Sequence, residues 1–332
     1  MKFYEDYKKE AMRLADGYGI PVNTSRGDLL SFTPYIENSC SAACRFCSER
    51  LTKNGMDSSC GSVCPDYQKR LAGVLMRLID KRIFLSLSGK EPTESPEQLE
   101  LISSAVNAAR QSGLVLSEAV MYSNLSGFCK WGDRILEAVS ALPLTRIEFS
   151  RHHFDEEINQ RIMRFRSGER IRYNETLSAV VKQLGERYPE RMVCVLQKAG
   201  IGDVEGVMRY LEFARSLGVN DVVFRELALF GDSVDPGSTA GYITGNRVEI
   251  MDIMHRLPES FRLVSITEGY YYFSFVYELS GMRVCFEMSD YEEMEKKHSG
   301  SRIHKLIFYP DGKLCRSWNK KGVVDDAEGS IF

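Results

Sequence analysis

Six short apolar runs, rich in β-branched and aromatic residues and each followed by a longer stretch of helical period, govern what residues 24 to 230 can fold into. The runs are Leu29 to Ile36, Ile83 to Leu87, Leu116 to Asn124, Arg146 to Ser150, Met192 to Lys198 and Asp221 to Leu227. Helical periodicity occupies Ser62 to Lys81, Ser95 to Ser112, Gly132 to Leu142, Asp155 to Arg164, Asn174 to Arg187 and Val204 to Leu217. Strands alternating with helices of this length require right-handed crossovers and a parallel sheet buried on both faces. A full eight-unit barrel takes about 250 residues, and six units in about 200 predict an open α/β architecture, a partial (β/α)6 TIM-like barrel. Chemistry in such folds gathers at the carboxyl ends of the strands.

The flanks read differently. Tyr4 to Asp16 predicts an amphipathic helix, so residues 1–23 form a helix and lead-in to the barrel at 24–230. Past residue 230 the Gly/Ser-rich stretch GDSVDPGSTAGYITGN predicts a linker or active-site loop, followed by a helix at Val248 to Arg256. The strand-like runs FRLVSI, GYYYFSFVYEL, MRVCFEM, HKLIFYP and KLCRSW come next, with tight turns at Ser280-Gly281 and Pro310-Asp311-Gly312. Residues 231–332 are therefore expected to form a small C-terminal antiparallel α+β lobe that packs over the open side of the barrel mouth.

Charge narrows the function. Forty-three basic against 46 acidic residues, a net of −3, leave no electrostatic footprint for duplex nucleic acid or an anionic membrane, and a small-molecule substrate becomes the default. The charged N-terminus lacks an apolar signal region and no apolar run reaches the length of a membrane span, which predicts a cytoplasmic protein. Nine cysteines in such a chain point to metal or redox chemistry rather than disulfides.

Directly after the first predicted strand stands ENSCSAACRFCSER, with Cys40, Cys44 and Cys47 spaced to wrap three thiolates around one metal centre. Soft thiolates select iron–sulfur clusters, zinc or Cu(I). Ferredoxin-type sites supply four cysteines per cluster, so a loop with three leaves one iron open to an exogenous ligand. A zinc site would need a fourth ligand from Cys60 or Cys64, since the first histidines are His152 and His153. The Cys-x3-Cys-x2-Cys pattern after a first strand, with Phe46 before the last cysteine, resembles the radical S-adenosylmethionine (radical SAM) family. The resemblance implies a [4Fe-4S] cluster on Cys40, Cys44 and Cys47 whose open iron chelates S-adenosyl-L-methionine. It further implies reductive cleavage to a 5′-deoxyadenosyl radical that abstracts hydrogen from the substrate. A reducing partner such as a flavodoxin or ferredoxin is implied as well.

The other strand ends extend the resemblance. Ser88-Gly89-Lys90-Glu91-Pro92 looks like the family's Gly-Gly-Glu-Pro element, which implies that Gly89, Lys90 and Glu91 hold the methionine ammonium; taken alone, GKEP is an ordinary polar turn. Ser123 and Asn124 close the third run, where hydroxyl and amide suit a ribose or carboxylate. Resemblance makes Ser150 a ribose or carboxylate contact, Arg151 a bidentate partner of that carboxylate, Gln197 a ribose contact, and the strand holding Leu227 a backbone surface for adenine. His152 and His153 are either mouth residues or a surface pair at a helix entry capped by Asp155. Arg225 and Glu226 must face opposite sides of an extended strand, so one of them at most lines the cavity.

Cys60, Cys64, Cys285 and Cys315 together would be needed for a second iron–sulfur cluster, while Cys129 and Cys194 read as packing residues. Tyr270 to Phe273 and Trp318 read mainly as core, with flat rings suited to a nucleoside, sugar or other planar substrate where they face the mouth. Three readings follow from these residues: a radical SAM enzyme acting on a small molecule, a sulfur-inserting or peptide-modifying member of that class with an auxiliary cluster, or a non-catalytic zinc or iron–sulfur protein.

Overall fold

The apolar runs become strands whose alternate residues divide two very different faces. The structure, a computed structural model, describes residues 3–24, 29–36, 39–51, 63–228, 237–316 and 318. Its strands are β1 (Val22–Thr24), β2 (Leu29–Ile36), β3 (Arg82–Gly89), β4 (Val115–Ser123), β5 (Arg146–Ser150), β6 (Glu190–Leu196), β7 (Asp221–Glu226), β8 (Arg262–Glu268), β9 (Tyr272–Leu279), β10 (Met282–Ser289), β11 (Lys305–Phe308) and β12 (Leu314–Cys315). All six predicted βα strands are present, and β2 through β7 pair side by side in parallel.

The C-terminal strands correct one expectation. They do not form a separate layer over the open side but join the same sheet, in the order β1-β8-β9-β10-β7-β6-β5-β4-β3-β2-β11-β12. β10 pairs parallel with β7, β9 and β8 follow as the expected antiparallel meander, and β11 pairs parallel with β2 at the opposite edge. An open parallel sheet leaves unpaired N–H and C=O groups at both edges, and the C-terminal strands satisfy both. β1 in turn pairs with β8, so the first strand of the chain caps the edge built by β8, β9 and β10, while the last two strands form the other edge. The result is a mixed α/β fold built on one large sheet. Among the described residues no helix is long and apolar enough to cross a membrane.

The helices fall close to their predicted positions, at Tyr67–Met76, Pro96–Gln111, Glu156–Met163, Asn174–Gly185 and Val204–Ser216 among others. Gly132 splits the predicted Gly132 to Leu142 helix from an earlier one, Ser126–Trp131. Their apolar stripes pack on one face of the sheet, where Phe32, Leu85, Met121, Phe149, Cys194 and Phe224 are fully buried. Burial on both faces was expected, and the other face is largely buried or half-buried too, but with mostly polar side chains. Strand alternation sends Tyr122, Arg146, Glu148, Arg191, Asp221, Arg225, Arg283 and Glu287 there. A small apolar patch of Val193, Val223, Val276 and Cys285 interrupts them.

Glu148 anchors this polar face. Its carboxylate accepts hydrogen bonds from Arg146 at 2.8 Å, Arg191 at 3.0 Å and Arg225 at 2.9 Å. Burial alone would raise its pKa, but the three guanidiniums hold it down at about 2. Glu190, next in chain to Arg191 and on the other face, has the opposite setting. Its Oε1 has no hydrogen-bond partner among the described residues, and burial pushes the carboxyl up to about 8.

Two outcomes follow. Glu148→Gln leaves three arginines short of their counter-charge and lowers unfolding stability by about 3 kcal/mol in chemical denaturation. Because the folded pKa lies below the ordinary 4.5, the wild-type contribution is present above that pH and fades as pH falls toward 2. Glu190→Gln acts in reverse. The wild type loses stability as pH rises from 4.5 to 8, so the variant's gain in melting temperature is small at pH 5 and largest at pH 8.

Candidate active site

The loop after β2 carries the cysteine triplet and is held from two sides. Its backbone is stitched to the end of the Glu156–Met163 helix: Ala43 N–H donates to Met163 O at 3.0 Å, Arg45 N–H to Ile162 O at 3.2 Å, and Arg166 N–H returns to Ser41 O at 2.9 Å. Ala42 and Phe165 form an antiparallel bridge at the centre of this seam. On the other side Ser41, buried, donates to Ser126 Oγ at 2.7 Å and accepts from Asn124 Nδ2 at 3.1 Å. Cys47 N–H donates to Cys44 O at 3.2 Å, which turns the loop backbone between the last two cysteines.

Cys40 Sγ receives two N–H donors, Ala42 N at 3.4 Å and Asn124 Nδ2 at 3.7 Å. Without a metal its thiol is pushed up to about 12 by burial and then by the charge of Glu91. Among the described residues no three His, Cys, Asp or Glu side chains converge as a single metal ion would require. A four-iron cluster needs something different: one thiolate at each of three separate irons, with amide donors to the sulfurs. The soft donor set of one short loop and the two N–H donors on Cys40 are of the kind that such a group takes.

The Gly89–Glu91 turn stands beside the loop because Gly89 has φ +135°, and a Cβ there would lie 2.4 Å from Ile36 O. Only glycine lets β3 end so close to β2, and Lys90 N–H then bonds Ile36 O at 3.0 Å. The Lys90 side chain is exposed. Glu91 turns inward, 2 % exposed, and accepts from Thr93 N (3.1 Å), Thr93 Oγ1 (2.7 Å), Ser123 Oγ (2.5 Å) and Asn124 N (2.7 Å). Burial raises its pKa while these four donors pull it back. Gly89, Glu91, Ser123 and Asn124 thus form one connected assembly with Cys40. Gly127 completes it, since a Cβ there would collide with Thr93 O.

At the end of β5, Ser150 lies on the polar face and Arg151 on the helix face, one residue apart. Arg151 is 1 % exposed and its guanidinium donates to Ile171 O at 3.4 Å, Arg172 O at 3.1 Å and Asn174 Oδ1. The guanidinium is thus committed to the backbone of residues 171 and 172 and to the Asn174 side chain. The histidines are not a surface pair. His152 is buried, accepts the Val195 N–H on Nδ1 at 3.0 Å, and meets the ring of Phe46 edge-on at 4.9 Å. Burial takes its pKa down to about 3, so the ring is neutral with its hydrogen on Nε2. His153 accepts from Asp155 N, and Asp155 caps the following helix through Ile158 N as expected.

Gln197 is fully buried at the end of β6, its Oε1 accepting from Tyr242 OH at 2.6 Å. Tyr242 belongs to a helix, Thr239–Asn246, within the stretch read from sequence as a linker. The signal that could have found it is Ser238, whose Oγ accepts the Gly241 N–H at 3.0 Å as an N-cap. The Arg45 guanidinium lies 4.3 Å from the Tyr242 ring centroid, so this helix bridges the cysteine loop and the end of β6. Leu227 is buried just past β7, and Arg225 faces the polar side while Glu226 points to the helix face and binds Arg247.

Among the described residues the cysteines proposed for a second cluster do not converge as metal ligands. Cys60 lies outside the described residues. Cys64 sits beside the β11–β12 turn, donating its N–H to Pro310 O. Cys285 on β10 and Cys315 on β12 have seven strands between them in sheet order, β7, β6, β5, β4, β3, β2 and β11. Cys194 is core and Cys129 packs against it. Phe273 is core, whereas Tyr270 stacks on His304 at 4.4 Å and Trp318 lies over the Lys305 ammonium at 4.6 Å.

No known family profile and no curated protein matches the sequence. Solved structures do. SuiB of Streptococcus suis bound to S-adenosylmethionine aligns with a TM-score of 0.51 at 14% identity, over 96% of this chain and 66% of SuiB. The SuiB complex with its precursor peptide SuiA gives 0.51 at 13% identity, over 96% and 65%. The chain therefore spans slightly less than two thirds of the SuiB chain. Coproporphyrinogen III oxidase (HemN) from Escherichia coli, a radical SAM enzyme, aligns at 0.40 with 10% identity over 75% and 66%, too low to carry weight. Likeness at this identity speaks to architecture alone, and on that ground the chain shares the fold of SuiB.

Proposed function

We propose that this chain is a radical SAM enzyme acting on a small molecule, and that its sheet is the wall of a partial barrel with the cysteine loop at the mouth. The observation that carries the reading is the assembly of the three-cysteine loop, the Gly89–Glu91 turn and the Ser123–Ser126 turn at the carboxyl ends of β2, β3 and β4. Cys40, Cys44 and Cys47 would hold the cluster. With S-adenosylmethionine bound, that group supplies reductive cleavage of the sulfonium to a 5′-deoxyadenosyl radical.

The chain's own residues do the positioning. Asn124 links the site in two directions, its backbone N–H to Glu91 and its side chain to Ser41 and Cys40, so a shift in either turn moves the thiol. The turn of residues 89–91 is the candidate site for the methionine ammonium, with buried Glu91 setting its shape from below. Ser150 and Gln197 are the candidate contacts for the ribose and carboxylate. Phe46 against neutral His152 seals one side of the loop with apolar surface, which keeps water from a reactive radical. Arg225, with 31% of its side chain accessible, and Tyr122 beneath it give the polar face groups to orient a polar substrate.

Anaerobic reconstitution with iron and sulfide tests the reading. The expected outcome is a brown chromophore, about four irons per chain, and 5′-deoxyadenosine on adding dithionite and S-adenosylmethionine. Stoichiometric zinc with neither signal would overturn it, and alanine at Cys40, Cys44 or Cys47 should remove chromophore and product together. Glu91→Ala leaves the donors of Thr93, Ser123 and Asn124 unmatched in a buried site. It should retain iron but weaken S-adenosylmethionine binding about tenfold or more by equilibrium dialysis, with a lower melting temperature.

A further inference from the structure

The paired charges of the polar face stop short of β11, where one half-buried cation has no acid beside it among the described residues. Strand alternation turns Leu306 and Phe308 to the helix side and leaves Lys305, Ile307 and Tyr309 on the other. The Lys305 ammonium stands 4.6 Å from the centroid of the Trp318 ring. Trp318 in turn meets Tyr35 edge-on at 6.2 Å, and Tyr35 is the last residue but one of β2, which leads into the cysteine loop. One indole ring thus links the ammonium to the strand that carries the loop.

Two histidines and a tyrosine complete the surroundings. Tyr270, in the turn between β8 and β9, stacks on His304 at 4.4 Å, and its hydroxyl meets Nε2 of His298 at 3.1 Å. β9 and β11 have seven strands between them in sheet order, so this contact joins the two wings of the sheet. His304 is tied to β2 through its carbonyl, which accepts the Ser31 N–H at 3.1 Å. His298 ends the Tyr291–His298 helix, and its buried Nδ1 has no hydrogen-bond partner among the described residues. The charges that act on these rings are positive: Lys305 and His304 on His298, Arg302 and Lys297 on His304. Glu293, on the same helix, is committed to Lys296 and Lys297 at 3.7 and 3.4 Å. Burial takes His298 down to about 4 and the Lys305 ammonium down to about 8. An ammonium in such a setting gains most from an anion, which favours its charged form and satisfies its donors.

We propose that Lys305, beside Trp318 and His298, seats the anionic group, a carboxylate or a phosphate, of the molecule on which this chain acts. The site is a property of the fold, and calling its occupant the substrate rests on the radical SAM reading. An ammonium suits the role as a compact charge with three donors, able to meet either anion without the fixed geometry of a guanidinium. The indole face holds that charge in place before an anion arrives. When the Tyr270 hydroxyl donates to Nε2, the ring hydrogen of His298 sits on Nδ1, a further donor in want of an acceptor. Lys305 shares the polar face with Tyr122 and Arg225, so a molecule held here by its anionic end lies over the face that carries those candidate substrate groups.

The test uses the full reconstituted chain carrying W131F, which leaves Trp318 as its one tryptophan. Benzoate and inorganic phosphate are the anionic probes and benzamide is the neutral isostere of the first. Equilibrium dialysis gives affinity, and the emission of Trp318 gives location. At least one anion should bind saturably and shift that emission, about tenfold more tightly than benzamide, and the tighter of the two names the group. K305M should weaken that anion about tenfold or more while K305R largely preserves it, with iron content unchanged in both. K305M should melt no lower than the parent, since it removes a buried charge without a partner. If it fails to fold, K305Q decides. No saturable binding of either anion, equal binding of benzamide, or an affinity indifferent to K305M overturns the proposal. Anion binding by a chain that makes no 5′-deoxyadenosine with dithionite and S-adenosylmethionine overturns the enzyme reading and upholds the site, whereas 5′-deoxyadenosine formation without Lys305-dependent anion binding overturns the site alone.

Discussion

One buried carboxylate organises the mouth of the sheet. Glu91 cannot reach water, so its oxygens must be satisfied by protein donors, and the donors available are those of the next turn along the mouth, Thr93, Ser123 and Asn124. Satisfying them fixes the ends of β3 and β4 relative to each other. Asn124 then passes that constraint to Ser41 and Cys40. The thiol loop inherits its position from an acid on another strand, fifty residues downstream.

The polar face of the sheet answers a second constraint. Strands that bury one face under helices must leave the alternate residues somewhere, and here those residues are charged but mutually neutralised. Glu148 meets three arginines, Asp221 meets Arg191 and Arg283, and Glu287 meets Arg225. Pairs of this kind desolvate at a cost that a hydrophobic filling would avoid. Here that cost is offset because each of these buried charges meets an opposite one, so this stretch of the face is polar without leaving a charge unpaired.

How much of this was legible in the sequence depended on the range of the interaction. The six parallel strands were, because apolar runs and helical periods are local signals, and so was the opposition of Arg225 and Glu226, which follows from strand alternation alone. Gly89 and Glu91 were found as a motif, yet the inward turn of Glu91 was not, since it depends on Ser123 and Asn124 some thirty residues away. The partners of Arg151 were out of reach for a related reason, since its guanidinium meets residues 171, 172 and 174 some twenty positions on. The joining of β10 to β7 and β11 to β2 was invisible, because a run of alternating residues does not announce its neighbour.

The shared edge at β1 and β8 sets the order in which this molecule can be completed. Val22 pairs with Ile266, so the first strand to leave the ribosome must wait for more than two hundred residues before its partner exists. The segments from β2 to β7 can assemble meanwhile, because their pairings are with near neighbours in the chain. During synthesis the cysteine loop would thus stand on a formed scaffold whose outer strands are still missing.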